Sequence, residues 1–204
     1  MMRKWIGALL GSVLVCGVFV GEARAASNPL GFYAGAGVGV ATPVNNYLPG
    51  FLRNNEFGWN VTAGIRPIPW LGAEVQYLDF GYARQQSRLL PGSPFDVSRS
   101  DSAHSYAAGA FGVAYLPLTF VPPAVDLFAK LGAARLWSSD DYSLYDVTES
   151  LTNFGHQSLN ETDFAYGGGL QIHFGEFAAR VEYEAIDASS STPSLVTLAL
   201  VWTP

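Results

Sequence analysis

The stretch Phe32-Tyr-Ala-Gly-Ala-Gly-Val-Gly-Val40 decides the fold. Glycine stands at every second position, and each glycine inside a helix costs about 1 kcal/mol relative to alanine. A period of two describes a strand instead. Phe32, Ala34, Ala36, Val38 and Val40 take one face, and Gly35, Gly37 and Gly39 take the other. The same alternation returns at 57–66, 71–82, 104–116, 124–137, 162–174, 177–186 and 195–203. With 32–40 these make eight strands, each close to or above the ~9–11 residues that a tilted strand needs to cross a bilayer.

The breaks between them alternate in length. Those at 65–70, 116–123 and 175–176 are tight, whereas 43–55, 83–101, 138–160 and 187–193 are longer, more polar and richer in charge. This is the rhythm of an antiparallel meander with its short turns at one end and its long loops at the other.

Sorting the strands by parity separates two faces. One collects Trp59, Val61, Ala63, Ile65, Leu71, Ala73, Val75 and Tyr77, then Phe111, Val113, Tyr115, Leu127, Ala129 and Leu131. Phe164, Tyr166, Leu170, Ile172, Phe177, Val181, Tyr183, Val196, Leu198, Leu200 and Trp202 continue it. The other face holds Asn60, Thr62, Arg66, Glu74, Gln76, Asp126 and Lys130, with Ala108, Ala110 and Gly112 from the fourth strand. Gly167, Gly169, Gln171, His173, Arg180, Glu182, Glu184, Thr197 and Ala199 complete it.

A soluble, lipocalin-like barrel would bury the apolar set. That set is too bulky for the interior of eight strands. The polar set also carries too few charges for a water-facing surface, which usually holds ~25–35% charged residues. Turned inside out, both faces fit: apolar side chains meet lipid, and small and ionisable ones fill the inside. Backbone groups in lipid must all be paired, so the sheet must close. The sequence therefore predicts an all-β fold, an eight-stranded antiparallel up-and-down transmembrane β-barrel.

Aromatic residues form two belts at the expected interfaces. Trp59, Phe80, Tyr82, Tyr106, Trp137, Phe164 and Tyr166 fall at the long-loop ends; Phe32, Trp70, Tyr115, Phe174, Phe177 and Trp202 fall at the tight-turn ends.

Residues 1–25 read as a cleaved signal peptide, leaving 26–204 as a single barrel domain. Arg3 and Lys4 precede an apolar run, and Ala23-Arg24-Ala25 has the small-x-small form of a cleavage site. Cys16, the only cysteine, lies in that run; Val15 before it does not suit lipidation, so it reads as removed filler. Cleavage leaves 8 Lys and Arg against 16 Asp and Glu, a net charge of −8, with Lys130 the single lysine. No basic footprint for nucleic acid is present. No cysteine–histidine metal spacing, glycine-rich phosphate loop or dinucleotide motif appears, so no cofactor is expected.

The opening strand, the hairpin Gly64-Ile-Arg-Pro-Ile-Pro-Trp-Leu-Gly-Ala-Glu-Val-Gln-Tyr-Leu-Asp-Phe-Gly81, residues 164–175, Arg180-Val-Glu-Tyr183 and the last strand together carry a resemblance. Through them the chain resembles the OmpA-like family of small outer-membrane β-barrels, the opacity-protein and adhesin type. The resemblance implies the outer membrane of a Gram-negative bacterium, both termini in the periplasm, and four external loops. It implies contact with outer-membrane lipids, lipopolysaccharide and the barrel-assembly machinery. Larger members add a periplasmic peptidoglycan-binding domain, which is not expected here. In the family the last strand closes on a terminal aromatic, whereas here Thr203 and Pro204 follow Trp202.

Three groups of residues could carry function. Arg66, Glu74, Lys130, Arg180, Glu182 and Glu184 share the inward face, where burial demands pairing. They read as an interior salt-bridge plug or, alternatively, as the path of a narrow pore; in family members such pairs can switch to a conducting state. His156-Gln-Ser158 resembles in part the His-x-Ser of outer-membrane lipid A deacylases, with Glu161 and Asp163 as candidates for the orienting carboxylate. Asn160 is one position off that pattern, and plain polar loop residues are the simpler reading. His104 and His173 look isolated.

The third group lies in the loops. Asp140, Asp141, Asp146 and Glu149 form an acidic run without calcium-loop spacing, interleaved with Tyr142, Tyr145 and Phe154 and facing Arg84, Arg88 and Arg99 of the preceding loop. Aromatic, polar loops on a rigid barrel suit recognition of a host or environmental partner. The expected role is non-enzymatic: envelope integrity and surface interaction through the loops.

Overall fold

In the computed structural model, residues 31–42, 56–89, 97–118, 124–146, 152–189 and 192–204 are described. The expected leader, with Cys16, and the loop carboxylate Glu149 lie outside them. So do the side chains of Arg84, Arg88, Arg99, Asp140, Tyr142, Tyr145, Asp146 and Phe154.

Eight strands follow in order: β1 (Phe32–Thr42), β2 (Glu56–Ile68), β3 (Leu71–Leu89), β4 (Val97–Leu118), β5 (Val125–Asp146), β6 (Thr152–Phe174), β7 (Phe177–Ile186) and β8 (Ser194–Trp202). Each pairs antiparallel with its sequence neighbour, and β1 pairs with β8 to close the barrel. Ala34 stands opposite Trp202 and Thr42 opposite Ser194 at that seam. Gly175 turns β6 into β7 at φ 68°, a conformation that favours glycine. On β3 a bulge between Asp79 and Tyr82 places Gly81 at φ 77°, and its N–H donates to Asp79 Oδ1 at 2.8 Å.

Apolar side chains cover the outside. Val38, Leu71, Val75, Leu131, Leu170, Val181, Leu198 and Leu200 are all exposed, while Glu74, Gln76, Lys130, Arg180, Glu182 and Glu184 are buried. This distribution is the inverse of a soluble protein and suits a lipid surround.

Three expectations need correction. The first is the facing of β4. Phe111, Val113 and Tyr115 point inward, with exposures of 3%, 0% and 5%, and Ala110, Gly112 and Ala114 face lipid. Both faces of β4 are apolar, so hydrophobicity did not fix its facing; the lumen beside Lys130 needed filling, and bulky rings fill it. Tyr115 is accordingly a lumen residue and not an interface aromatic. Phe80 likewise leaves the outer belt, for its side chain is fully buried.

The third correction concerns the long polar breaks at 83–101 and 138–160. They are mostly strand. Leu89 pairs with Val97, Val97 with Asp146 and Tyr145 with Thr152, so β3 to β6 continue outward as one sheet. Backbone pairing is indifferent to side-chain polarity where both faces meet water. On the other side of the barrel β1, β2, β7 and β8 end sooner.

Candidate functional site: the charged lumen and the outer rim

The inward face gathers the ionisable residues into two tiers. In the first, Lys130 from β5 reaches across to β3 and β7. Its Nζ lies 2.6 Å from Glu184 Oε2 and 3.3 Å from Glu74 Oε1, and it also contacts the Glu182 carboxylate and donates to Gln76 Oε1. The ammonium also sits 4.5 Å from the centre of the Phe111 ring. Arg180 from β7 donates through Nη1 to Glu74 Oε2 at 2.7 Å and through Nε to Gln171 Oε1 at 2.9 Å. Tyr33 from β1 donates to Glu74 Oε2 at 2.9 Å, and Tyr115 donates to the Tyr33 hydroxyl at 3.1 Å. Five charges from three strands are thus held with the side chains of Lys130, Glu74 and Arg180 at 0–1% exposure. Unpaired, such charges would carry a desolvation penalty of several kcal/mol each.

Arg66 does not join this cluster. It forms a second tier nearer the tight turns, where it pairs with Asp126 and donates from Nε to the Pro69 carbonyl at 3.0 Å. His173 is not isolated: its Nε2 lies 2.9 Å from Asp126 Oδ2. Tyr115 links the tiers, with Arg66 stacked 4.0 Å over its ring and Arg180 Nη2 donating to its hydroxyl at 3.5 Å. The sequence reading placed Gln76, Asp126, Gln171 and His173 on this face but outside the charge cluster, and it put Tyr115 on the opposite face. It missed Tyr33, whose parity with Gly35 and Gly37 was the available signal.

At the outer rim, His156 and Ser158 share the outward face of β6, and both are exposed. His156 Nδ1 lies 2.8 Å from Asp141 Oδ1 on the paired strand β5. Glu161 and Asp163 therefore are not its partners: they have the opposite parity, and Glu161 accepts a hydrogen bond from Ser189 at 2.6 Å instead. Among the described residues no hydrogen bond joins Ser158 to His156. A histidine–aspartate pair alone fixes an imidazole tautomer but supplies no nucleophile. His104 also has partners, lying 3.2 Å from Asp79 Oδ2 and stacking on Tyr82 with ring centres 4.1 Å apart.

Below this rim an aromatic row crosses β2 to β5: Trp59, Tyr77, Tyr106 and Trp137, with centre-to-centre steps of 5.4, 6.1 and 5.4 Å. At the other end, Trp70 and Trp202 are exposed. Among the described residues no group of His, Cys, Asp or Glu is arranged to hold a metal ion.

The profile of the outer membrane protein beta-barrel domain matches residues 11–202. A comparison with curated proteins finds no match. Among solved structures, Ail, the attachment invasion locus protein of Yersinia pestis, is similar at a TM-score of 0.53 and 16% identity, covering 85% of this chain and 98% of that one. The N-terminal β-barrel domain of Pseudomonas aeruginosa OprF gives 0.48 at 10% identity over 85% and 97%. Neisserial surface protein A gives 0.47 at 16% identity, again over 85% and 97%. At 16% identity the likeness to Ail is one of fold.

Proposed function

The chain belongs to the outer membrane protein beta-barrel domain family, a β-barrel of the Gram-negative outer membrane, and on that premise we propose that it is a closed, non-enzymatic scaffold. Its outer hairpins serve surface interaction, and its body contributes to envelope integrity. The observation that carries this reading is the lumen: Lys130, Arg180, Glu74, Glu182 and Glu184 are buried and mutually paired inside an apolar-coated cylinder. An eight-stranded interior is just filled by side chains, and here the filling is cross-linked by ion pairs.

In this reading residues 1–25 are removed on export, both termini lie in the periplasm, and the β3–β6 extension faces outward. The barrel-assembly machinery inserts the chain, and lipopolysaccharide and other outer-membrane lipids surround it. A tag inserted at 147–151 should be protease-accessible on intact cells, and the wild-type protein should be electrically silent in planar bilayers. Steady conductance by the wild-type protein would replace the plug with a pore.

One observation favours a second reading, that of an acyl hydrolase acting on lipid A: Asp141 orients His156 two residues from Ser158. It predicts shortened lipid A by mass spectrometry, lost in Ser158→Ala. Unchanged lipid A removes it.

A further inference from the structure

The inverted facing of β4 shapes the lipid side of the barrel. Where its rings turn inward, the wall outside β2 to β5 carries an open apolar trough of about 740 Å³; a second, of about 930 Å³, lies over β1, β2 and β6 to β8 and has no charged residue in its lining. The first is open to the lipid along its length, so it can seat an extended chain against the wall without enclosing it. Val61, Val75 and Tyr77 form one flank, Ala110 and Ala133 the floor, and Arg135 the end nearest the aromatic row.

Arg135 is out of place on this surface. It is exposed on the outward face of β5, one row inside Trp137, where a cation facing lipid is unfavourable unless it reaches the interface. Its guanidinium is drawn toward that interface: Nε donates to Asn160 Oδ1 at 2.8 Å, and Cζ lies 5.6 Å from the Trp137 ring centre. Among the described residues no carboxylate pairs with it. Asp79, in the neighbouring row, is engaged by His104 and by the Gly81 N–H. A cation held at the interface above an apolar trough is complementary to one kind of molecule, an anionic headgroup with an acyl chain below it. A second barrel does not fit, because its apolar wall would cover Arg135 without a counter-charge.

We propose that this trough is a binding site for phosphorylated lipid A of the outer leaflet, with one acyl chain lying against Ala110 and Ala133 and a phosphate on Arg135. The choice of outer-leaflet lipid rests on the outward orientation of the β3–β6 hairpins proposed above; the trough and its cation do not.

The experiment is native mass spectrometry of the full-length protein in detergent, titrated with bis-phosphorylated lipid A, dephosphorylated lipid A or phosphatidylglycerol. Wild-type protein should retain one lipid A. Arg135→Ala should lose at least tenfold in retention of the phosphorylated form while binding the dephosphorylated form as wild type does. Ala110→Phe, which fills the floor, should weaken both forms. Leu198→Phe, which narrows the second trough where no cation stands, should change neither. Heat-modifiable gel migration reports folding; should Ala110→Phe fail to fold, Ala133→Leu replaces it.

Equal retention by wild type, Arg135→Ala and the filled variant overturns the site. Phosphatidylglycerol held as tightly as lipid A overturns the choice of lipid. Failure of the 147–151 tag to be cleaved on cells would instead overturn the orientation, a result separable from retention in detergent.

Discussion

Two contacts between ionisable side chains, of nearly equal length, sit at opposite extremes of this molecule. Lys130 and Glu184 are 2.6 Å apart with side chains 0% and 2% exposed; His156 and Asp141 are 2.8 Å apart with side chains 63% and 72% exposed. Distance does not separate them, but surroundings do. At the rim, water screens the attraction and solvates either partner alone, so the pair contributes little. In the lumen neither partner has water to return to, and removing one strands the other. The same chemistry is therefore structural inside and dispensable outside.

Substitutions grade this contrast. Lys130→Met leaves Glu74, Glu182 and Glu184 facing one another around Arg180, and should cost about 3–5 kcal/mol in urea-induced unfolding. Adding Glu184→Gln to Lys130→Met should recover part of that loss; a double variant no more stable than the single one would break the comparison. Asp126→Asn acts on the partly exposed second tier, where Arg66 and His173 both lose an ionised acceptor, and should cost about 1–3 kcal/mol. His156→Ala should change stability by no more than about 0.5 kcal/mol. Raising salt from 0.1 to about 1 M should leave the lumen coupling of Lys130 and Glu184 in place in a double-mutant cycle, since screening reaches only solvent-exposed charge.

Seven of the eight strands were legible because their two faces differ in kind. On β7 the sequence Phe-Ala-Ala-Arg-Val-Glu-Tyr-Glu puts charge and bulk on opposite parities, and the barrel has one place for each. On β4 the segment Ala107-Ala-Gly-Ala-Phe-Gly-Val-Ala-Tyr115 is apolar on both, so the criterion had nothing to read. The deciding fact is register: Val113 stands opposite Lys130, and residues directly opposite share a face. The turn at 116–123, with its three prolines, hides that register from a sequence reader.

The outer hairpins were obscured for the reverse reason. Their polarity resembles loop composition, yet in water a strand carries polar groups on both faces without penalty. The lumen cluster was read as six residues; it is five plus a separate Arg66 tier, a division set by depth along the barrel rather than by parity.

The seam between β1 and β8 sets the order of events in the life of this chain. Those strands are the most distant in sequence, yet each completes the other's hydrogen-bond ladder. Until they meet, the sheet is an open ribbon with two unsatisfied edges, which are templates for pairing with the wrong chain and cannot enter lipid. The β1–β8 join is the pairing of longest sequence separation, and it is the one that makes the wall fit for lipid. A one-residue slip at the join would turn Leu198 and Leu200 into the lumen and Thr197 and Ala199 out to the lipid.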